Sequence, residues 1–117
     1  MDWVRKMNSA IEYIESNLEY DIDIGDAAKI AGCSAYHFQR VFSYMANTTL
    51  AEYIRRRRLT LAAFDLQNPD NKVIDVAVKY GDDSPTSFTR AFSALHGITL
   101  SKAKSNGAAF ISYPPIS

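Results

Sequence analysis

Apolar residues recur at steps of three and four along most of the chain, which is the spacing expected of amphipathic α-helices. The segment between Asp23 and Gly32 is predicted to be a short helix, because aspartate favours helix starts and glycine ends helices in the left-handed conformation. Ser34 is placed to cap the next helix, which carries Phe38 and Phe42. A longer helix precedes these two, with the apolar set Val4, Met7, Ile11, Ile14 and Leu18.

A long helix is predicted over about residues 49–66, with the apolar face Leu50, Tyr53, Ile54, Leu61 and Ala62. Proline, asparagine and aspartate crowd into residues 67–71, which are therefore predicted to form a loop. A second short helix then ends at Gly81. Ser84 and Pro85 supply the capping residue and the first turn of the helix that follows. No strand pattern is convincing, so the sequence predicts an all-α fold.

An internal repeat relates the two halves of the chain. Residues 34–50 align with 84–100 at an offset of 50, with seven of 17 positions identical, and S-x-x-x-F-x-R-x-F occurs complete in both. Phe38 and Phe42 are four residues apart and share a helical face that must be buried, whereas Arg40 faces away. Each repeat is therefore predicted to be a short helix, a glycine turn and a second helix with an outward arginine. That is the helix-turn-helix motif.

The predicted architecture is two helix-turn-helix subdomains, at 1–48 and 67–104, joined by the linker helix 49–66. With a last short helix at 101–104, the total is about seven helices. Residues 105–117 contain glycine, prolines and small residues, and are predicted to be a tail or the start of a further domain. If both second helices enter the major groove on one face of B-DNA, they should lie about one turn, roughly 34 Å, apart.

Length and cysteine content limit the number of domains and indicate the expected location of the chain. Its 117 residues fit one domain or two small halves, and the single cysteine, Cys33, excludes an internal disulfide and fits a reducing compartment. No apolar stretch approaches the roughly 18 residues of a membrane span, and the start of the chain lacks the order of a signal peptide. The expected location is the cytoplasm, with no membrane association.

The charge is unevenly distributed. The net charge is zero, whereas a DNA-binding domain is usually basic. Residues 1–30 carry seven acidic against three basic residues, a net of −4, and residues 31–64 carry five arginines against one glutamate, a net of +4. A local basic patch is therefore expected in the middle of the chain. Four of those arginines, Arg55 to Arg58, span most of a helix circumference, so only one or two are expected to contact phosphates.

Enzymatic and metal-dependent functions find no support. Asp82 and Asp83 are adjacent acids, but no catalytic histidine, serine elbow or phosphate-binding loop accompanies them. His37 and His96 are far apart and have no cysteine or histidine partners, so no metal site is expected. Cys33 lies in a predicted turn and is expected to be inert. The sequence therefore predicts a protein without enzymatic activity or cofactor.

The motifs of the second repeat resemble those of the AraC/XylS family of bacterial transcription regulators. They are D-x-A-x-x-x-G from Asp75, S-x-x-x-F-x-R-x-F from Ser84 and G-x-T from Gly97. The first repeat and the segment from Glu52 to Ala62 resemble the other half of the family pattern. The likeness covers about residues 8–104 and implies a DNA-binding module whose third and sixth helices read double-stranded DNA.

The resemblance also implies which residues contact bases. Mapped onto matching positions, the groove-facing candidates are Ala35, Tyr36, Gln39 and Arg40 in the first unit and Pro85, Thr86, Thr89 and Arg90 in the second. Their chemistry is suitable, since arginine binds guanine through two hydrogen bonds, glutamine binds adenine, and threonine or alanine contacts the thymine methyl group.

Two further partners are implied only by resemblance. The family suggests contact with RNA polymerase. Residues 107–117 resemble the junction to an effector-binding domain of the gyrase-inhibitor-like type, so a small-molecule effector is expected to act only through a C-terminal domain beyond this chain.

The chain departs from the family pattern at five positions: Asn47, Asp65, Asp82, Pro85 and Leu100. Asn47 stands where glycine is usual, and asparagine tolerates the left-handed conformation, so that turn is expected to survive. The neutral charge, the Asp82–Asp83 pair and Pro85 also keep open an alternative function. In that alternative the chain is a helical protein-interaction module that has lost DNA binding.

Overall fold

The fold is that of a computed structural model, which describes residues 2–68, 70–80, 85–96 and 114–115. For residues 2 and 85–87 it describes the backbone only. The described ranges contain no strand, and their helices are α1 (Asp2–Ser16), α2 (Ile24–Ala31), α3 (Ala35–Ala46), α4 (Leu50–Leu66), α5 (Val73–Tyr80) and α6 (Pro85–His96). The all-α prediction is confirmed. The predicted helix at 101–104, and the tail apart from Pro114 and Pro115, lie outside the described residues.

The helices group into two compact units, and the division falls within α4, between Arg55 and Arg56. The first unit contains α1, α2, α3 and the first residues of α4. The second contains the rest of α4 with α5 and α6. The long helix predicted at 49–66 is therefore present as Leu50–Leu66, and each unit uses part of it.

The core of the first unit is built from one apolar face of each helix, with α1 packed on α2 and α2 on α3. Its buried side chains are Met7, Ala10, Ile11, Ile14, Leu18, Ala27, Ala28, Phe38, Phe42, Leu50, Tyr53 and Ile54. Val4 departs from prediction, because its side chain is 39% exposed and the buried stripe of α1 starts one turn later, at Met7. Ala27 and Ala28 are small enough to let the neighbouring helices approach closely.

Tyr53 joins the start of α4 to the rest of the first unit. Its ring lies 5.2 Å from that of Phe42, centroid to centroid, and its hydroxyl donates a hydrogen bond to Glu15 Oε2 at 2.7 Å. A tyrosine suits this position because its body is apolar and its tip polar. The contact bridges 38 positions of the chain and connects α4 with α1.

The turn between α2 and α3 follows from three short-range capping interactions. Asp23 Oδ1 accepts the Gly25 amide at 2.8 Å and starts α2. At the other end, Gly32 is left-handed with φ 77°, and the Cys33 amide donates back to the Ala28 carbonyl at 3.0 Å, which is a Schellman ending. Ser34 Oγ then accepts the His37 amide at 3.1 Å and starts α3. All three predicted caps in this unit are confirmed.

The connection from α3 to α4 uses an asparagine where the family has glycine. Asn47 takes φ 58°, and its amide donates to the Ser43 carbonyl at 3.0 Å, so the left-handed ending predicted for it is present. Thr49 Oγ1 accepts the Glu52 amide at 3.1 Å and caps α4.

The second unit has its own apolar core on the remaining part of α4, on α5 and on α6. Its buried members are Leu59, Ala62, Ala63, Leu66, Val76, Ala77, Tyr80, Phe88 and Phe92. Phe88 and Phe92 are 6% and 0% exposed, as the repeat predicts. Ile74 on α5 is apolar, but its side chain points to solvent and is 60% exposed. The predicted turn residues Gly81 and Ser84 lie outside the described residues.

Asp65 explains one departure from the family pattern. Its Oδ2 accepts the Tyr80 hydroxyl at 2.7 Å and lies 3.0 Å from Lys79 Nζ, while its backbone carbonyl accepts Asn71 Nδ2 at 2.7 Å. Burial, followed by the neighbouring carboxylate, raises the pKa of Tyr80 to about 12, so the phenol remains a donor. The carboxylate therefore fastens the end of α4 to the last turn of α5.

Replacing Asp65 with alanine is expected to destabilise the protein by about 1–3 kcal/mol, because the buried Tyr80 hydroxyl then has no acceptor there. The Lys79 contact is half-exposed and should contribute little. Urea denaturation of the full chain measures the loss. Tyr80→Phe made in the Asp65→Ala background should recover most of it, and the exposed Asp70→Ala should change stability by under about 0.5 kcal/mol. Equal losses from the two aspartates would contradict this role.

His96 closes the core of the second unit at the end of α6. It is 8% exposed, its ring centroid lies 4.4 Å from that of Phe92, and its Nε2 donates to the Leu59 carbonyl oxygen at 3.1 Å. Burial lowers the pKa of His96 below its usual 6.5, and the bond to Leu59 opposes that effect only in part. The imidazole is therefore neutral in the folded protein near pH 7.

Stability should consequently fall at mildly acidic pH. The unfolded chain takes up the His96 proton at about pH 6.5, whereas the folded chain takes it up only at lower pH. The stabilisation is complete above pH 6.5 and is lost as pH falls through the folded pKa. Urea melts from pH 7.5 to 5.5 measure this trend, which His96→Gln should flatten and the exposed His37→Gln should not. A trend unchanged in His96→Gln would rule out this origin.

None of the helices in the described part of the chain is both long enough and apolar enough to cross a lipid bilayer.

Candidate nucleic-acid interface

The outward face of α3 is set by the burial of its phenylalanines. Phe38 and Phe42 are 0% and 1% exposed, and an α-helix turns 100° per residue, so Arg40 points almost directly away from both. Tyr36 and Gln39 share this outward face and are exposed, and Ala35 at its start is half-buried. The structure therefore brings Tyr36, Gln39 and Arg40 onto one side of α3, whereas Ala35 lies nearer the face of the buried phenylalanines.

Arg40 is held by an aromatic neighbour one turn earlier. Its Nη1 donates to the Tyr36 hydroxyl at 3.1 Å, and its guanidinium carbon lies 5.6 Å from the centre of the tyrosine ring. Gln39 is turned back on its own helix, with Nε2 donating to the Ala35 carbonyl at 3.3 Å. In this conformation the arginine is the charged group presented by α3, and Gln39 must rotate before it can contact a base.

The second unit presents a related face on α6. Phe88 and Phe92 are buried, their ring centroids are 6.3 Å apart, and Thr89 and Arg90 are exposed. Pro85 is the first residue of α6, the position in which proline was predicted. The side chains of Pro85 and Thr86 lie outside the described residues.

Tyr44 belongs to the outward face of α3 and is absent from the residues proposed from the sequence. It is 92% exposed and follows Arg40 by four residues, as Arg40 follows Tyr36. The signal that could have identified it is the polar and aromatic stripe at 36, 40 and 44, which continues one turn further than the family positions.

The arginine run on α4 divides by burial. Arg57 and Arg58 are 8% and 5% exposed, so their side chains belong to the interior. Arg55 is exposed, and its Nε and Nη2 each lie 2.8 Å from a Glu52 carboxylate oxygen, while Arg56 is half-exposed. Two of the four arginines are thus unavailable as phosphate ligands, and a third has its charge balanced locally. The surface of residues 31–64 is therefore less positively charged than the sequence indicates.

Arg58→Ala should therefore act on stability, lowering the free energy of unfolding by about 2–4 kcal/mol, because it empties a buried position. Arg55→Ala removes an exposed ion pair and should cost about 0.3–0.5 kcal/mol. Denaturant unfolding of the two variants under one buffer measures the difference. If Arg58→Ala were as mild as Arg55→Ala, the structural role assigned to Arg58 would be wrong.

The two histidines and the cysteine differ in their surroundings. His37 is exposed on α3, His96 lies in the second core, and Cys33 is a half-buried free thiol whose amide closes α2. Within the described ranges, no three or more histidine, cysteine or acidic side chains gather into a group that could hold a metal ion.

Each unit thus pairs a short helix with a second helix that buries two phenylalanines and turns an arginine to solvent, which defines a protein of the helix-turn-helix class. A profile of the family described as "Helix-turn-helix domain" matches residues 27–106. The chain is 41% identical over 95 residues to the HTH-type transcriptional activator AarP of Providencia stuartii, and this match covers 81% of the chain and 70% of AarP. The chain belongs to this helix-turn-helix family and is of the AraC/XylS type.

Solved structures share the fold. An AraC-type transcriptional regulator from Chromobacterium violaceum superposes with a TM-score of 0.76 at 23% identity, covering 86% of this chain and 89% of that one. The DNA-binding domain of AdpA, a global transcriptional factor solved in complex with a target DNA, gives a TM-score of 0.70 at 22% identity, covering 87% and 88%. The fold and the family predicted from the sequence are confirmed.

Proposed function

We propose that this chain binds double-stranded DNA sequence-specifically as the DNA-binding module of a transcription regulator. The observation that carries the proposal is Arg40, exposed on α3 opposite the buried Phe38 and Phe42. Arg90 occupies the equivalent place on α6. Arginine is the side chain that most often reads guanine in the major groove, and a fixed helix face is how helix-turn-helix proteins present it. A relative named as a transcriptional activator supports the same function.

Both units take part in the proposed contact. The third and sixth helices enter successive major grooves, with bases contacted by Ala35, Tyr36, Gln39 and Arg40 and by Pro85, Thr86, Thr89 and Arg90. Tyr44 adds a contact near the end of α3, where its exposed hydroxyl is suited to the sugar–phosphate backbone. The proposed subdomains are residues 1–48 and 67–104, joined by the linker helix 49–66.

The electrostatic part of the binding is proposed to be small. Arg57 and Arg58 are buried and Arg55 is paired with Glu52, so the arginine run of α4 supplies few of the cations that could neutralise phosphates. Because the salt dependence of affinity scales with the phosphates neutralised, the slope should correspond to well under ten contacts. Specificity would then depend mainly on base contacts.

The wider setting remains part of the proposal. The module acts in the cytoplasm, has no enzymatic activity of its own, and contacts RNA polymerase when bound at a promoter. A small-molecule effector acts through a C-terminal domain beyond this chain. Support for these points comes from the family alone.

Selection from random DNA duplexes at about 100 mM salt tests the function. The retained fraction should be enriched in a site with two short conserved blocks about one helical turn apart. A single block would reduce the second unit to a scaffold. No enrichment above non-specific binding would contradict the proposal and favour a protein-interaction module.

Arg40→Ala should weaken binding to the selected site by about 1–3 kcal/mol and relax the base preference at one position. Arg5→Ala, on the exposed surface of α1, removes the same charge and should have little effect on specificity. Titration of both variants against the selected and a scrambled duplex measures the difference. Equal losses on both duplexes would show that Arg40 contributes charge alone.

A further inference from the structure

Arg40 and Tyr36 form a connected pair on the outward face of α3. Arg40 Nη1 donates to the Tyr36 hydroxyl at 3.1 Å, and the guanidinium lies beside the ring, 5.6 Å from its centre. The two contacts restrain the arginine at two points. Among the residues that the structure describes, no carboxylate competes for this guanidinium.

The contact with Tyr36 leaves the base-reading edge of the arginine intact. A guanidinium has five N–H donors in a fixed fork, and the tyrosine accepts one of them, on Nη1. The edge formed by Nε and Nη2 keeps both of its donors, and this is a geometry that matches the O6 and N7 acceptors of guanine. A long, mobile side chain is thus partly ordered in the free protein, which lowers the entropy lost on binding.

The internal repeat supplies a natural comparison. Thr86 is the second residue of α6 and precedes Arg90 by four positions, just as Tyr36 is the second residue of α3 and precedes Arg40 by four. Threonine has neither an aromatic ring nor the reach of a tyrosine hydroxyl. The two arginines are therefore equivalent in the repeat and differ in the neighbour available to restrain them.

We propose that Tyr36, given above as one of the candidates for base contact, acts instead as a positioning residue that fixes the Arg40 guanidinium for guanine, and so sets the sharpness of base preference in the block read by the first unit. This inference rests on the proposed function of DNA binding. It follows that the first block of the operator has a sharper guanine preference than the second, where Thr86 stands before Arg90.

Tyr36→Phe removes the hydroxyl and keeps the ring, so it tests the hydrogen bond at an exposed position that the fold does not need. With the full chain, the guanine preference at the base pair read by Arg40 should fall about three- to tenfold, while the other positions keep theirs. The base pair read by Arg40 is identified as the one at which Arg40→Ala relaxes the base preference. Tyr13→Phe, which removes a hydroxyl from α1, is the matched control and should change no position.

Coupling between the two residues separates positioning from direct contact. If Tyr36 acts through Arg40, Tyr36→Phe made in the Arg40→Ala background should cause no further loss. Additive losses, or a loss spread over several positions, would overturn the proposal. The reciprocal variant, Thr86→Tyr, should sharpen the preference at the base pair read by Arg90, and no sharpening there would count against it as well.

A measurement without DNA completes the test. The order parameter of the Arg40 Nε–H bond, from NMR relaxation of the free protein, should fall in Tyr36→Phe and stay unchanged in Tyr13→Phe. An unchanged value would overturn the proposal independently of any DNA result. Failure of the parent chain to enrich a site would instead refute the proposed function, so the two failures are distinguishable.

Discussion

The burial of two phenylalanines on the second helix of each unit is the constraint from which the candidate interface follows. Phe38 and Phe42, like Phe88 and Phe92, are four residues apart and lie on one face, and burying each side chain contributes about 1.5–3 kcal/mol. Once that face is fixed inward, the helix has no freedom to rotate. The residues opposite it, Arg40 and Arg90, are exposed as a consequence of packing, so the cores and the proposed contact surfaces are determined together.

The turn chemistry of the first unit keeps this arrangement short and rigid. A Schellman ending at Gly32 and a serine cap at Ser34 confine the connection between α2 and α3 to residues 32–34. Asn47, in the left-handed conformation, ends α3. These devices depend on residues close in sequence, which is why capping patterns predicted them. The second unit adds a long-range device, the Asp65 carboxylate on Tyr80.

Local patterns predicted the helices, the caps at Asp23 and Ser34 and the buried phenylalanines, because spacing and capping act over a few residues. They did not predict what depends on partners distant in sequence. The burial of Arg57 and Arg58, the exposure of Ile74 and the role of Asp65 are decided by how helices meet, and a single sequence does not show that. For the candidate site, the internal repeat predicted which faces of α3 and α6 point outward. The contact between Arg40 and Tyr36 and the exposure of Tyr44 were not predicted, because both depend on side-chain conformation.

The distribution of charge then bears on how such a module would discriminate between DNA sequences. Of the five arginines between residues 31 and 64, Arg57 and Arg58 are buried, so three arginines and Glu52 remain at the surface and the net charge there is +2 instead of +4. A strongly basic surface would raise affinity for every sequence equally, because phosphates carry no sequence information. A less basic surface reduces that uniform contribution, and the base contacts then supply a larger share of the binding free energy. Restraining a single arginine matters more in such a protein, because less non-specific attraction masks its effect.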